Sequence, residues 1–149
     1  MPQLSMHSPI GDLAISEEDG AIVAVDWGWG AEQAETPLLK AAKAQLEAYF
    51  DGERRGFDLP LAPAGSPSEQ QVWDAMRAIP YGASRTYGDI AREVGISAQA
   101  VGQACGSNPI PILIPCHRVL AADGLGGFSA DGGVETKAAL LRLEGALMI

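Results

Sequence analysis

"TYGDIAREVGISAQAVGQACG" spans residues 86–106 and decides how the second half of this chain folds. Its pattern predicts two short helices, the first capped by Thr86 and the second capped by Ser97. A tight helix–turn–helix requires a small residue where the helices touch, a glycine where the turn takes a positive φ, and an apolar anchor in the second helix. Those three positions are held by Ala91, Gly95 and Val101.

The function of this motif stays open on the pattern alone. A helix–turn–helix can dock in a DNA groove, or it can be an ordinary helical hairpin in a core. From Ser97 to Asn108 the chain has no lysine or arginine. Such a helix can offer backbone amides and small side chains to DNA, but it cannot form an arginine–guanine contact.

Outwards from this motif, the sequence predicts an α+β chain of two domains, residues 1–65 and 66–149. The boundary lies in a stretch rich in proline, glycine and serine, which is typical of a linker. A helix from about Ser68 to Ala78 precedes the motif. Another helix follows it and stops near Gly145, with Val134 on its inner face.

The first domain shows its own start and stop signals. Two apolar runs around Glu18-Asp19-Gly20 predict a β-hairpin. A helix is predicted after Thr36 as cap, with Pro37 at its first position and Gly52 beyond its end. The stretch FDLPL, residues 57–61, predicts a short returning strand.

Composition narrows the class of protein. The 149 residues are 47% hydrophobic with a net charge of −9, which predicts a folded acidic chain. No stretch approaches the roughly 20 apolar residues of a membrane span, and no signal peptide is visible, so a cytoplasmic protein with reduced thiols is expected. Residues 1–65 hold four Lys/Arg against eleven Asp/Glu, and residues 66–149 hold six against eight. This charge balance disfavours strong nonspecific affinity for DNA. Any polyanion that binds is expected to bind the second domain, which is the less acidic of the two.

"NPIPILIPCHRVL", residues 108–120, places Cys116 directly before His117. A thiol attacks as thiolate, and its ordinary pKa near ~8.5 means that a nucleophile needs a base, a cation or a helix N-terminus. In an extended segment neighbouring side chains point apart, so direct pairing with His117 requires a turn or a bridging water. A histidine base also requires an orienting carboxylate. The downstream candidates are Asp123, Asp131, Glu135 and Glu144.

A buried structural thiol is the alternative reading of Cys116. Cys105 lies in a predicted helix with no histidine nearby, and a structural role is expected for it.

The same segment resembles the active-site segment of the O6-alkylguanine-DNA alkyltransferase family, to which Pro-Cys-His-Arg after an apolar strand is highly specific. The likeness extends upstream through VWDAMRAIPYGASRTYGDIA and AVGQACGSNP, downstream through GGFS and KAALLRLEG, and more loosely through SPIGDLAIS in the first domain. It implies a small N-terminal α/β domain of ribonuclease H-like fold. It also implies a mainly helical C-terminal domain with a winged helix–turn–helix.

The resemblance implies a methylated-DNA–protein-cysteine S-methyltransferase that acts once. In this family a damaged guanine is flipped out of double-stranded DNA and its O6-alkyl group moves to the cysteine as a stable thioether. The protein is expected to be a monomer without a cofactor. Zinc is not expected, because no cysteine lies near His7, the other histidine.

Residue roles follow from the matching positions. The resemblance implies Cys116 as the alkyl acceptor, His117 as the base acting through water, and Glu144 as the group that orients it. Asn108 would tie the helix–turn–helix to the active-site segment. Substrate or DNA contacts are implied for Tyr87, Gln99, Arg118, Phe128 and Ser129. Lys137 also matches a family position, and Arg118 is expected to be structural.

The chain departs from the family where DNA is handled, and is therefore interpreted as a divergent member. Gln99 stands where the family has an arginine that fills the gap left by the flipped base. Ala130 and Asp131 lengthen the loop after Ser129. Two hypotheses follow. The first is a DNA alkyltransferase with weakened or altered DNA engagement. The second is a thiol alkyl acceptor or sensor for a free base or small electrophile, with weak or no duplex binding.

Overall fold

A computed structural model of the chain describes residues 1–127 and 133–146. The chain divides into two compact units, Met1–Ala64 and Gly65–Ile149. Within the described ranges, no helix combines the length and the apolar character that crossing a membrane requires.

The first unit is an antiparallel sheet with one helix on it. The sheet has the order β1 (Gln3–Met6), β2 (Leu13–Glu18) and β3 (Ala21–Trp27). Asp19 and Gly20 between β2 and β3 have φ of 52° and 80°. Two positive φ values in a two-residue loop match the right-handed twist of a hairpin. The predicted hairpin is confirmed, whereas β1 has no counterpart in the predictions.

The helix of this unit, α1 (Pro37–Phe50), begins where its sequence signals predict. The Thr36 hydroxyl accepts a hydrogen bond from the Leu39 amide at 3.1 Å, and proline holds the first position. The helix packs on the sheet. Its buried stripe recurs at helical spacing and consists of Leu39, Ala42, Leu46 and Tyr49. These side chains form the core together with the inner face of β2.

The predicted strand at residues 57–61 is wrong. Only Leu61 forms a parallel bridge, and its partner is Ile22. The Ile22 amide donates to the Pro60 carbonyl and the Ala62 amide donates to the Ile22 carbonyl, each at 2.8 Å. Pro60 has no amide to make the next bond of a parallel ladder, so the bridge does not extend back along residues 57–60.

The second unit is mainly helical. Its elements are α2 (Pro67–Arg77), β4 (Arg85–Thr86), α3 (Tyr87–Val94), α4 (Ala98–Gly106), β5 (Val119–Leu120) and α5 (Val134–Leu143). Strands β4 and β5 pair in parallel. A wing built from an antiparallel strand hairpin is not seen in residues 65–127 and 133–146, so that detail of the prediction lacks a counterpart there.

Helices α3 and α4 form the predicted helix–turn–helix. Thr86 and Asp89 cap α3 reciprocally, each side chain bonding the other's amide. Gly95 ends this helix at φ 84°, which is the left-handed conformation that the spacing predicts. Ile90 and Val101 are fully buried between the elements of this unit.

Val134 does not face inward as predicted, because 45% of it is exposed. Helical side chains lean toward the N-terminus, so the side chain of the first residue of α5 points beyond the helix end. The buried stripe of α5 begins two residues later, at Thr136.

Trp73 joins α2 to α4 and depends on a glycine. Its indole Nε1 donates to the Ala104 carbonyl at 2.9 Å, and the side chain is buried. Gly65 lies against the ring, where an added Cβ would stand 2.4 Å from Cη2 of Trp73.

We expect Gly65→Ala to lower the free energy of unfolding by about 1–3 kcal/mol, because the hydrogen-bonded indole cannot move away from the new methyl group. Gly102→Ala is the control, since no neighbouring atom lies within 4 Å of its added Cβ and alanine favours the helix. Urea denaturation measures both. Equal effects of the two substitutions would contradict the role of Gly65.

Candidate active site

The active-site segment, residues 108–118, is held by two very tight turns. The Leu113 amide donates to the Pro111 carbonyl at 2.9 Å around Ile112, whose φ is 73°. The Cys116 amide donates to the Ile114 carbonyl at 2.8 Å around Pro115, at φ −81° and ψ 67°. Both are three-residue γ-turns, and the first places a β-branched residue in the left-handed region. Such strain costs on the order of 1–3 kcal/mol and persists only where the surroundings enforce it.

Burial and Asn108 enforce this backbone. Residues 110–119 are buried throughout. The Asn108 side chain donates from Nδ2 to the Ile114 carbonyl at 2.9 Å and accepts from the Ile110 amide at 3.0 Å. Its own amide donates to the carbonyl of Cys105, near the end of α4, at 3.3 Å. Asn108 therefore links the end of α4 to the segment that carries Cys116.

A 3-10 turn over Cys116–Arg118 replaces the extended backbone considered from the sequence. Both Cys116 and His117 are buried, at 6% and 0% exposure. His117 Nε2 lies 2.7 Å from Glu144 Oε2. Its Nδ1 has no hydrogen-bond partner among the described residues. Glu144 therefore occupies one ring nitrogen and leaves the other for a different group.

Glu144 caps the C-terminus of α5 and also binds Arg118. The Arg118 guanidinium donates from Nε to Oε1 at 2.8 Å and from Nη2 to Oε2 at 2.9 Å. Its Nη1 donates to the Ile79 carbonyl at 2.7 Å. Arg118 is 7% exposed, so it lies in the interior and not at a DNA-facing surface. This placement corrects its assignment to substrate or DNA contacts.

Burial opposes charge on both reacting groups. Desolvation raises the pKa of the Cys116 thiol, and the hydrogen bond from Asn108 and the charge of Lys137 lower it less strongly. Desolvation also lowers the pKa of His117, against the opposing hydrogen bond and charge of Glu144. At neutral pH the site therefore holds a neutral thiol beside a neutral imidazole.

Lys137 is a buried cation beside these groups. It is 0% exposed, and Nζ donates to the Val119 carbonyl at 2.6 Å and to the Gly127 carbonyl at 3.2 Å. The same atom lies 5.7 Å from the centroid of the Tyr87 ring. Desolvation lowers the lysine pKa. Its signal in the sequence is a lysine on the apolar stripe of a helix.

Tyr87 begins α3 and is half-buried. Burial raises its pKa, and the charges of Cys105 and Cys116 raise it further. A Cβ added to Gly126 would lie 3.1 Å from the tyrosine hydroxyl, so glycine leaves room for that group.

Of the other predicted contacts, Gln99 lies within the described residues. Gln99 is exposed at the second position of α4, away from the buried cluster of Cys116, His117 and Glu144. Four predicted loop residues lie outside the described residues, and they are Phe128, Ser129, Ala130 and Asp131.

The second thiol and the second histidine contact other side chains. Cys105 Sγ donates to Met76 Sδ at 3.7 Å, and burial raises its pKa to about 12. His7 stacks on Trp29 in the first unit. Across the described ranges, three or more His, Cys, Asp or Glu side chains nowhere converge in a way that could hold a metal ion.

Two family models match the chain. The model described as "6-O-methylguanine DNA methyltransferase, DNA binding domain" matches residues 67–146. The model described as "6-O-methylguanine DNA methyltransferase, ribonuclease-like domain" matches residues 4–63. Together they account for both units, and they confirm the family that the sequence resembles.

Curated relatives are similar over nearly the full length. The methylated-DNA–protein-cysteine methyltransferase, constitutive, of Bacillus subtilis (strain 168) is 44% identical over 93% of this chain and 92% of its own. The methylated-DNA–protein-cysteine methyltransferase of Methanosarcina acetivorans is 41% identical over 94% of this chain and 96% of its own.

The fold of this chain is also similar to that of a solved structure. Mycobacterium tuberculosis OGT in complex with DNA superposes with a TM-score of 0.88 at 38% identity, covering 98% of this chain and 94% of its own. This match confirms an α+β chain with a small N-terminal sheet domain and a helical C-terminal domain. With both family models and these relatives in agreement, the chain belongs to the 6-O-methylguanine DNA methyltransferase family.

Proposed function

We propose that this protein repairs DNA by moving the alkyl group of O6-alkylguanine onto Cys116, once per molecule. It is then a methylated-DNA–protein-cysteine S-methyltransferase, as its relatives are named. The observation that carries the proposal is the buried Cys116 followed by His117, whose Nε2 lies 2.7 Å from Glu144. The DNA complex of the similar Mycobacterium tuberculosis protein supports DNA as the partner.

The hydrogen bond to Glu144 determines which ring nitrogen of His117 acts as the base. Because the carboxylate accepts the Nε2 proton, the neutral imidazole presents a lone pair at Nδ1, the nitrogen without a partner among the described residues. Nδ1 takes the Cys116 proton through a water molecule. Glu144 itself stays ionised, since two Arg118 nitrogens bind its oxygens.

The transfer then balances in atoms and electrons. The Cys116 thiolate attacks the alkyl carbon, a carbon–sulfur bond forms, and the bond between that carbon and O6 breaks. The electron pair stays with the guanine, which takes up the proton that left the thiol. The tyrosine hydroxyl of Tyr87 hydrogen-bonds the departing base. The products are S-alkylcysteine and unmodified guanine, so no cofactor enters the reaction.

DNA handling belongs to residues 66–149 in this proposal, and residues 1–65 form a separate N-terminal domain. Tyr87 helps to expel the nucleotide, Gln99 contacts the strand that is left, and Phe128 and Ser129 are assigned to substrate or DNA contacts. The protein acts as a cytoplasmic monomer, in a compartment that keeps thiols reduced. None of the similar proteins described above favours a sensor of free bases.

Intact-protein mass spectrometry tests the acceptor. Incubation with DNA that contains O6-methylguanine is expected to add the mass of one methyl group to the protein and to Cys105→Ser. Cys116→Ser should gain nothing, because it lacks the nucleophile. A methyl group found on any other residue, or on Cys116→Ser, would refute the assignment.

Glu144→Gln tests the orienting carboxylate. We expect a fall in transfer rate of at least about tenfold, because the amide no longer fixes the imidazole proton. The free energy of unfolding should fall by about 3–5 kcal/mol, since the buried Arg118 charge loses its partner. Glu135→Gln is the matched control at an exposed position of the same helix. Single-turnover kinetics and denaturation measure both effects, and similar losses in the two variants would refute the role.

The pH profile tests the base. Burial holds the pKa of His117 below its ordinary value of 6.5, so the imidazole stays neutral to lower pH than a free histidine. The rate of benzyl transfer from free O6-benzylguanine to the protein is expected to stay level from neutral pH down to about 6.5 and to fall only below it. His117→Asn should lose this plateau and react faster with rising pH, because burial raises the Cys116 pKa. A decline that begins well above pH 6.5 would contradict a neutral base.

A further inference from the structure

We infer that this protein acts preferentially on O6-alkylguanine that is already unpaired, as in single-stranded DNA, over the same lesion in a fully paired duplex. The inference rests on the proposed function and concerns how the base reaches Cys116. It follows from the charges and the exposed side chains of the helix–turn–helix.

The helix–turn–helix carries no net charge. Residues 85–108 contain two arginines and two acidic residues. Arg85 Nη1 donates to Glu93 Oε1 at 2.9 Å, and its Nη2 donates to the Asp89 carbonyl at 3.3 Å. Arg92 Nη2 donates to Asp89 Oδ1 at 2.5 Å. Each arginine therefore already has an acidic partner, whose charge opposes that of a phosphate at the same guanidinium.

Few other cations remain in this unit. Of the six Lys/Arg in residues 66–149, Arg118 and Lys137 are buried and bonded inside. Arg77 and Arg142 are exposed in the last turns of α2 and α5. Phosphate contacts supply most of the sequence-independent affinity for duplex DNA. Log affinity falls as log salt concentration rises, and each phosphate contact steepens the slope of that fall by about 0.9. Four arginines at the surface limit that slope to about 4, and the two ion pairs reduce it further.

The exposed face of α4 is short and neutral. It consists of small or uncharged residues, namely Ala98, Gln99, Gln103 and Gly106. This face can approach a DNA groove closely, but it holds no cation and no large apolar side chain that could replace an extruded base in the stack.

The scarcity of surface cations and the neutral exposed face of α4 together determine the substrate preference. Extruding a paired base costs a few kcal/mol of pairing and stacking, and the cost is least for a base that is already single-stranded. A duplex binder recovers that cost from phosphate and groove contacts, and this unit has few surface cations to make the phosphate contacts. The hydrogen bond between His117 and Glu144 is meanwhile already formed, and Cys116 directly precedes His117. An unpaired lesion therefore meets a competent site without the cost of extrusion.

Single-turnover kinetics test the inference. One oligonucleotide with a single O6-methylguanine is offered as a single strand and as a duplex with cytosine opposite the lesion, at equal concentration and about 0.15 M salt. We expect the second-order rate constant of methyl transfer to be at least about tenfold higher for the single strand. Free O6-benzylguanine reports the chemistry without DNA.

Two variants identify the cause. Glu93→Gln frees Arg85 from its ion pair, and Gln99→Arg adds a cation to the exposed face of α4. Each should raise the duplex rate more than the single-strand rate and should steepen its salt dependence. Gln71→Arg, which adds the same charge on an exposed position of α2, is the control and should change the ratio least.

The outcomes separate the two proposals. Equal rates, or a faster reaction with the paired duplex, would overturn the inference and leave the proposed function standing. If the folded protein reacts with neither DNA nor free O6-benzylguanine, the proposed function fails. If only the free base reacts, transfer from DNA fails and the inference with it.

Discussion

The carboxylate of Glu144 is the interaction on which the second unit depends. It binds His117 Nε2 at 2.7 Å and two nitrogens of Arg118 at 2.8 and 2.9 Å. Three charged or titratable side chains are thereby buried together, and each would be costly alone. Since Arg118 also donates to the Ile79 carbonyl, beyond the end of α2, the same cluster joins α2 to the end of α5. Stability and chemistry share one set of contacts at this point.

A second constraint is the backbone between Asn108 and Cys116. Its γ-turns would relax in isolation, and they are held by the Asn108 amide and by apolar burial. The Asn108 side chain bonds the buried Ile114 carbonyl and the Ile110 amide. Prolines adjoin both isoleucines and have no amide to donate, so a regular strand is disfavoured here. The end of the helix–turn–helix and the segment that carries the thiol are therefore linked through one residue, Asn108.

Local signals in the sequence predicted much of this fold. Caps and turn residues marked α1, α3 and α4, and the two-residue turn at Asp19 and Gly20 marked the hairpin. The prediction of a short strand at residues 57–61 was wrong because Pro60 interrupts its hydrogen bonding. The prediction that Val134 faces inward was wrong because the side chain of a first helical residue points past the helix end. At the site, the resemblance named Cys116, His117 and Glu144, but chain order could not reveal that Arg118 would share the carboxylate. The positive φ of Ile112 was also beyond reach, since isoleucine gives no local preference for it.

The burial of Cys116 has a consequence for a protein whose molecules each react once. A thiol exposed at the surface and ionised at neutral pH would react with any passing electrophile, and each such event would remove one molecule from use. Here the thiol is 6% exposed and burial raises its pKa, so its reactivity depends on a substrate that reaches the buried sulfur and on a proton path to His117. Selectivity against stray reagents is thus built into the nucleophile's own surroundings, before any recognition of the damaged base takes place.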